Sequence, residues 1–208
     1  MSRLSVLFLL ALPAAFGQYK AVPAGAPASD IPAPLAAALQ KDGFKIQSSG
    51  GKDLFEIWFC TSLPKTAPNN EENASINTAP HGALFGVIRY DQAGKDRRGQ
   101  TIKPGVYTLR YSLFPINGDH QGVAPQRDFL LLTPAEGDTD PSATPNYATL
   151  TKASMKASGT PHPAVLSLSK DDASAAPGLT KDGDTDWTLH SKAGDLPVAL
   201  IVIGTFGG

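Results

Sequence analysis

Asp119-His120 followed by Arg127-Asp128 is the densest grouping of potentially reactive side chains outside the turns of this chain. If the segment 117–128 folds back on itself, a carboxylate can orient the His120 imidazole and leave Arg127 to hold an anion. Pro161-His162-Pro163 would bring a second imidazole. Such a set suits a ligand pocket, or metal-assisted or acid–base catalysis centred on His120. The plainer expectation is an Asn-Gly turn closed by Asp119, with Arg127 and Asp128 paired where a strand begins.

The other reactive residues carry less. The four histidines, His81, His120, His162 and His190, form no His-x-x-x-His pair, so no zinc motif is present. Asp182-Gly183-Asp184-Thr185-Asp186 has the alternate carboxylates of a calcium loop, but Trp187 and Ala193 stand where such a loop needs glycine and glutamate. A solvated acidic turn is the expectation there. Cys60 is the single cysteine, so no intramolecular disulfide can form. It ends the run Leu54-Phe55-Glu56-Ile57-Trp58-Phe59 and reads as a small buried hydrophobe. There is no Gly-x-Ser-x-Gly elbow and no glycine-rich phosphate loop, hence no cofactor expectation. Trp58, if it lies opposite the Phe55/Ile57/Phe59 face, is an exposed aromatic able to stack on a sugar or a partner.

Residues 1–17 have the form of a cleavable secretory signal: Arg3, an apolar run from Leu4 to Leu12, then small residues in Ala15-Phe16-Gly17. That segment is too short to span a membrane as a helix, so the expectation is a secreted or periplasmic protein with no transmembrane segment. A net charge of −1 and the absence of a basic patch argue against a nucleic-acid partner. Glycans and envelope proteins are the partners that export would suit. Eighteen prolines and twenty glycines among 208 residues favour strands and turns.

The elements that must position these residues are legible in outline. After the turn Pro104-Gly105, Tyr107, Leu109, Tyr111 and Leu113 alternate with Val106, Thr108, Arg110 and Ser112, predicting a strand with one buried and one mostly wet face. Phe44–Ile46 and Leu54–Cys60 read as a hairpin. Leu84, Gly86, Ile88 and Tyr90 alternate with Phe85, Val87 and Arg89. Phe129-Leu130-Leu131-Leu132 has the unbroken apolar character of a strand covered on both faces. Ala164–Leu168, Trp187–Leu189 and Val198–Ile203 complete the strands. A helix capped by Asp30 is expected from about Pro32 to Gln40, and a second from Thr144 to about Ala157, stopped by Gly159. Residues 18–34 read as a Pro/Ala-rich linker, and 61–80 as a long polar loop, functional or mobile. The sum predicts one antiparallel β-sandwich domain over 35–208, with about eight or nine strands and two short peripheral helices.

Lys103-Pro104-Gly105-Val106-Tyr107-Thr108-Leu109 resembles the Pro-Gly-x-Tyr-x-Leu strand of secreted prealbumin-like and carboxypeptidase-regulatory-like sandwiches. The longer pattern, through Arg127-Asp128-Phe129-Leu130-Leu131-Leu132-Thr133-Pro134 to the last apolar strand and Gly204, looks like secreted bacterial proteins of unassigned function. The resemblance implies a β-sandwich and transfers no catalytic residue. The function expected is a binding or interaction module, with an enzyme centred on His120 as the alternative.

Overall fold

Tyr107, Leu109 and Tyr111 do face a core, and tracing that core shows how the sheet is built. The structure, a computed structural model, describes residues 19–116 and 126–206. In chain order the strands are β1 (Lys20–Gly25), β2 (Gly43–Gln47), β3 (Asp53–Phe59), β4 (Leu84–Tyr90), β5 (Gly94–Lys95) and β6 (Thr101–Ile102). They continue as β7 (Gly105–Leu113), β8 (Asp128–Pro134), β9 (Val165–Lys170), β10 (Gly178–Asp182), β11 (Asp186–Ala193) and β12 (Leu196–Ile203). The helices are α1 (Ala33–Ala38) and α2 (Tyr147–Ser158).

Ten strands form a single antiparallel sheet in the order β1-β2-β3-β4-β7-β8-β9-β12-β11-β10. Its two edge strands, β1 and β10, come back beside each other. There the ring of Tyr19 meets Trp187 edge-on at 5.4 Å between centroids. The sheet therefore curls almost into a barrel, where a sandwich of eight or nine strands was the expectation. The expected mostly-β antiparallel class holds; the two-sheet arrangement does not. Alternation records only that one face is buried. A curled sheet buries that face against its own far wall, as Ile57, Leu109, Leu166 and Leu200 do in one continuous core.

The inner core accounts for half of each strand, and the outer faces of the central strands are covered as well. Under α1, Leu35 and Leu39 pack with Trp58, Cys60, Leu84 and Val87. Under α2, Leu150 packs with Phe129, Leu131 and Val165. The unbroken apolar run of β8 thus has the two-sided burial its composition predicts. The wet face expected on β7 is a correction. Thr108, Arg110 and Ser112 are all buried on it, while Leu113 is only half-buried.

Local chemistry explains the other departures. The Ala/Pro segment after Gln18 contains β1 rather than a linker, and Pro23 is tolerated because β1 is an edge strand. Helix α1 starts at an N-cap Pro32 with no side-chain cap, and Asp30 instead accepts from Arg89 Nε at 3.0 Å. Helix α2 obeys the usual rules: the Asn146 side chain accepts from Thr149 N–H, and Gly159 closes it at φ +70°. Strand β4 carries a bulge between Leu84 and Gly86, so Phe85 joins Ile88 and Tyr90 inside while Leu84 and Val87 face α1. A Cβ on Gly86 would collide with the Trp58 carbonyl, which is why the bulge has glycine there.

The segment 61–80 is neither strand nor free loop. Thr66 N–H donates to Thr78 O at 2.8 Å and Asn69 N–H to Asn77 O at 3.0 Å, folding the segment on itself. Ile76 and Ala79 then plug the end of the barrel where β7 finishes and β8 begins. Cys60 is buried as expected, and burial pushes its thiol up to about 12, against the opposing pull of the Arg110 charge. Native protein is therefore expected to leave Cys60 unmodified by Ellman's reagent at pH 8, with one thiol released in urea. Rapid reaction of the folded chain would show that the α1 cover opens.

Candidate functional site

Of the residues that the sequence marks for chemistry, those described by the structure, Trp58, Arg127, Asp128 and His162, lie apart or point to different partners. Asp119 and His120 lie outside the described residues. Arg127 and Asp128, their sequence neighbours, do not pair with each other. Arg127 donates to Phe114 O at 2.7 Å, Glu72 O at 2.7 Å and the Glu71 carboxylate at 3.1 Å. Asp128 is fully buried and accepts from Ser75 N–H at 2.6 Å, Ser75 Oγ at 2.9 Å, Ile76 N–H at 3.2 Å and Tyr111 Oη at 2.8 Å. Both side chains fasten the 61–80 plug to the barrel. Burial beside the Asp128 carboxylate pushes the Tyr111 phenol well above its ordinary value, so it serves as a permanent donor.

His162 is exposed just before β9, at the opposite end of the barrel from Asp128, with its N–H on Thr160 Oγ1 and its carbonyl accepting from Ser158 Oγ. Trp58 is 1% exposed, sealed under α1, with Nε1 donating to Gly25 O at 2.8 Å. That placement corrects the reading of Trp58 as an exposed stacking platform. It does lie opposite the inner Phe55/Ile57/Phe59 face, but α1 and β1 cover it. The Asp182–Asp186 segment is the β10–β11 turn, and Asp186 there binds the Arg97 guanidinium at 2.9–3.1 Å. Among the described residues no group of three or more His, Cys, Asp or Glu could hold a metal ion.

Two features emerge that residue-by-residue reading missed. The first is a chain of side chains on the outer face near the seam. His190 Nδ1 lies 2.8 Å from Asp171 Oδ2, and its Nε2 lies 2.8 Å from Thr180 Oγ1. A carboxylate on Nδ1 fixes the tautomer with Nδ1 protonated, leaving Nε2 to accept the Thr180 proton. The Asp171 and His190 side chains are 11% and 18% exposed, whereas Thr180 faces solvent. A cavity of about 200 Å³ beside His190 is bordered by Ser167, Ser169, Asp182 and Thr188. Thr180 sits mid-strand, where backbone N–H groups alternate in direction instead of converging as at a nucleophile elbow. The chain ties the edge strand β10 to the segment following β9. Recognising the β10–β11 hairpin, with Thr180 paired to Thr188 and Gly178 to His190, would have placed Thr180 and His190 as diagonal neighbours.

The second feature is a cavity of about 380 Å³ at the barrel mouth where β3 begins and β4 and β12 end. Leu54, Phe55 and Tyr90 line it from one wall and Val202 and Ile203 from another. Since β4 and β12 are separated by β7, β8 and β9 in the sheet, a space touching both lies across the lumen. Tyr19 closes the seam side, and Lys52 and Lys95 stand at the rim. The segment Asp91–Gln100, which carries β5, forms a flap over this mouth. Asp96 is its buried pivot, accepting from Arg98 N–H at 3.0 Å, Gln100 N–H at 3.0 Å and Arg98 Nη2 at 2.8 Å. Arg97 latches the flap to Asp186 on β11, and Gly94 lies so close to the Tyr90 ring that a Cβ would clash.

No helix among the described residues is long and apolar enough to cross a membrane. No family model matches the chain, and neither a curated protein nor a solved structure matches it.

Proposed function

We propose that this protein is an extracytoplasmic binding module that takes a small, apolar-bodied molecule into the mouth of its barrel. The observation that carries this reading is the 380 Å³ cavity between Leu54, Phe55 and Tyr90 on one wall and Val202 and Ile203 on the other. Barrel mouths are a preferred place for ligand sites, and the volume falls in the range such sites occupy, about 300–1,000 Å³. The extracytoplasmic assignment rests on the signal-like pattern of residues 1–17 alone. The test uses the neutral fluorophore N-phenyl-1-naphthylamine with the chain lacking residues 1–17. Saturable binding at one site per chain is expected, and Leu54→Trp, which fills the cavity, is expected to abolish it. Absent or non-saturable binding, or binding indifferent to Leu54→Trp, overturns the reading.

A second reading, acid–base chemistry, draws on the Asp171–His190–Thr180 chain in place of His120. It predicts that a fluorophosphonate labels Thr180 and that His190→Gln abolishes labelling. An unlabelled Thr180 removes it.

A further inference from the structure

Charge at the mouth of the barrel is unevenly neutralised. Four carboxylates flank that end, and each holds a cation: Asp53 with Lys45 at 3.0 Å, Asp91 with Arg89 at 2.8 Å, Asp96 with Arg98 at 2.8 Å, and Asp186 with Arg97 at 2.9 Å. Asp182 and Asp184 stand on the neighbouring β10–β11 turn and do not line the cavity. Lys52 and Lys95 do line it, from the β2–β3 turn and from β5. Neither ammonium has a carboxylate partner among the described residues. The cavity thus combines an apolar body with a rim of two positive charges that no carboxylate among the described residues neutralises.

A third group points the same way. Tyr90 is 3% exposed, its ring lines the cavity, and its hydroxyl has no hydrogen-bond partner among the described residues. That hydroxyl is not among the fully buried polar atoms left without a partner, so it opens onto the space of the cavity. Burial pushes this phenol above its ordinary value, so it remains a donor. A ligand oxygen in the cavity can accept a hydrogen bond from it.

We infer, resting on the cavity reading above, that the ligand is an amphipathic monoanion. Its carboxylate or sulfonate sits at the Lys52/Lys95 rim and its hydrocarbon or aryl body lies against Leu54, Phe55, Val202 and Ile203. Loss of the ammonium–carboxylate attraction should weaken such a ligand and leave its neutral analogue untouched.

Displacement of N-phenyl-1-naphthylamine by octanoate and by octanol, a pair alike except in charge, tests this. Octanoate is expected to compete at least tenfold better than octanol in 20 mM salt, and to lose most of that advantage in 1 M salt, where rim charges are screened. In Lys52→Gln/Lys95→Gln, octanoate should fall to the level of octanol while octanol and the fluorophore bind as before. Equal competition by the two compounds, or an octanoate advantage that survives the double substitution, overturns the inference and leaves the cavity reading standing. Failure of the fluorophore itself to bind removes the cavity reading and this inference with it.

Discussion

Asp138→Ala is expected to cost about 3–5 kcal/mol of stability, the range for stranding one charge of a buried ion pair. Arg110 is fully buried on the outer face of β7, and Asp138 is 9% exposed. Arg110 Nε donates to Asp138 Oδ2 at 2.8 Å and Nη2 to Asp138 Oδ1 at 2.7 Å, the bidentate fork that suits arginine. The remaining donors reach Asp140 O at 2.7 Å, Ala143 O at 2.6 Å and Gly82 O at 3.2 Å, so every N–H of the guanidinium is used. Thr108 Oγ1 also donates to Asp138. Removing the carboxylate leaves a desolvated cation on the strand, whereas the Thr108 hydroxyl keeps Thr133 O as an acceptor at 3.3 Å. Urea unfolding measures the loss, with Leu109→Ala on the inner face of the same strand as reference at roughly 2–5 kcal/mol. Thr108→Ala should cost about 1–3 kcal/mol, since both faces of β7 are buried. A loss below about 1 kcal/mol for Asp138→Ala would mean that Arg110 reaches water once its partner is gone.

The second large effect is expected at Asp128. Asp128→Ala should destabilise by roughly 2–5 kcal/mol, because the buried Ile76 N–H, the half-buried Ser75 N–H and hydroxyl, and the Tyr111 hydroxyl, which keeps only Ile76 O, lose a charged acceptor together. The damage should be local as well as global. Amides of Ser75 and Ile76 bond directly to the carboxylate, so their hydrogen exchange should rise ahead of the β7–β8 ladder, and proteolysis should begin within residues 61–80. Asp128→Asn keeps an acceptor and the shape, and should recover part of the loss. Uniform acceleration across the barrel, with no early cleavage in that segment, would mean that Asp128 holds the fold as a whole and not the plug.

Much of the local structure was legible because its causes are local. Strand β7 follows from Pro104-Gly105 and the alternation after it; β8 from an unbroken apolar run; the end of α2 from Gly159, although the helix starts after an Asn146 cap and not at Thr144. Cys60 in the core follows from the apolar run it closes. The site was far less legible. Arg127 and Asp128 are engaged within the protein, and their partners Glu71, Glu72, Ser75 and Ile76 come from a segment whose packing no periodicity announces. Trp58 alternates with inner-face residues and so looks outward, yet α1 comes from a part of the chain that gave no sign of where it would lie.

By itself the sequence determined a mostly-β antiparallel chain with two short helices, the buried inner stripe of its strands, and a single cysteine without a partner. Only the tertiary structure decided that one sheet curls until β1 and β10 adjoin, because sandwich and barrel bury the same alternate residues and differ only in which strands pair. It also decided that Arg110 is an interior charge, since its partner Asp138 lies 28 residues away on a segment that crosses the outer face of β7. The mouth cavity is of the same kind. Leu54 and Val202 belong to strands remote in sequence, and the space between them exists only once the sheet has folded back on itself.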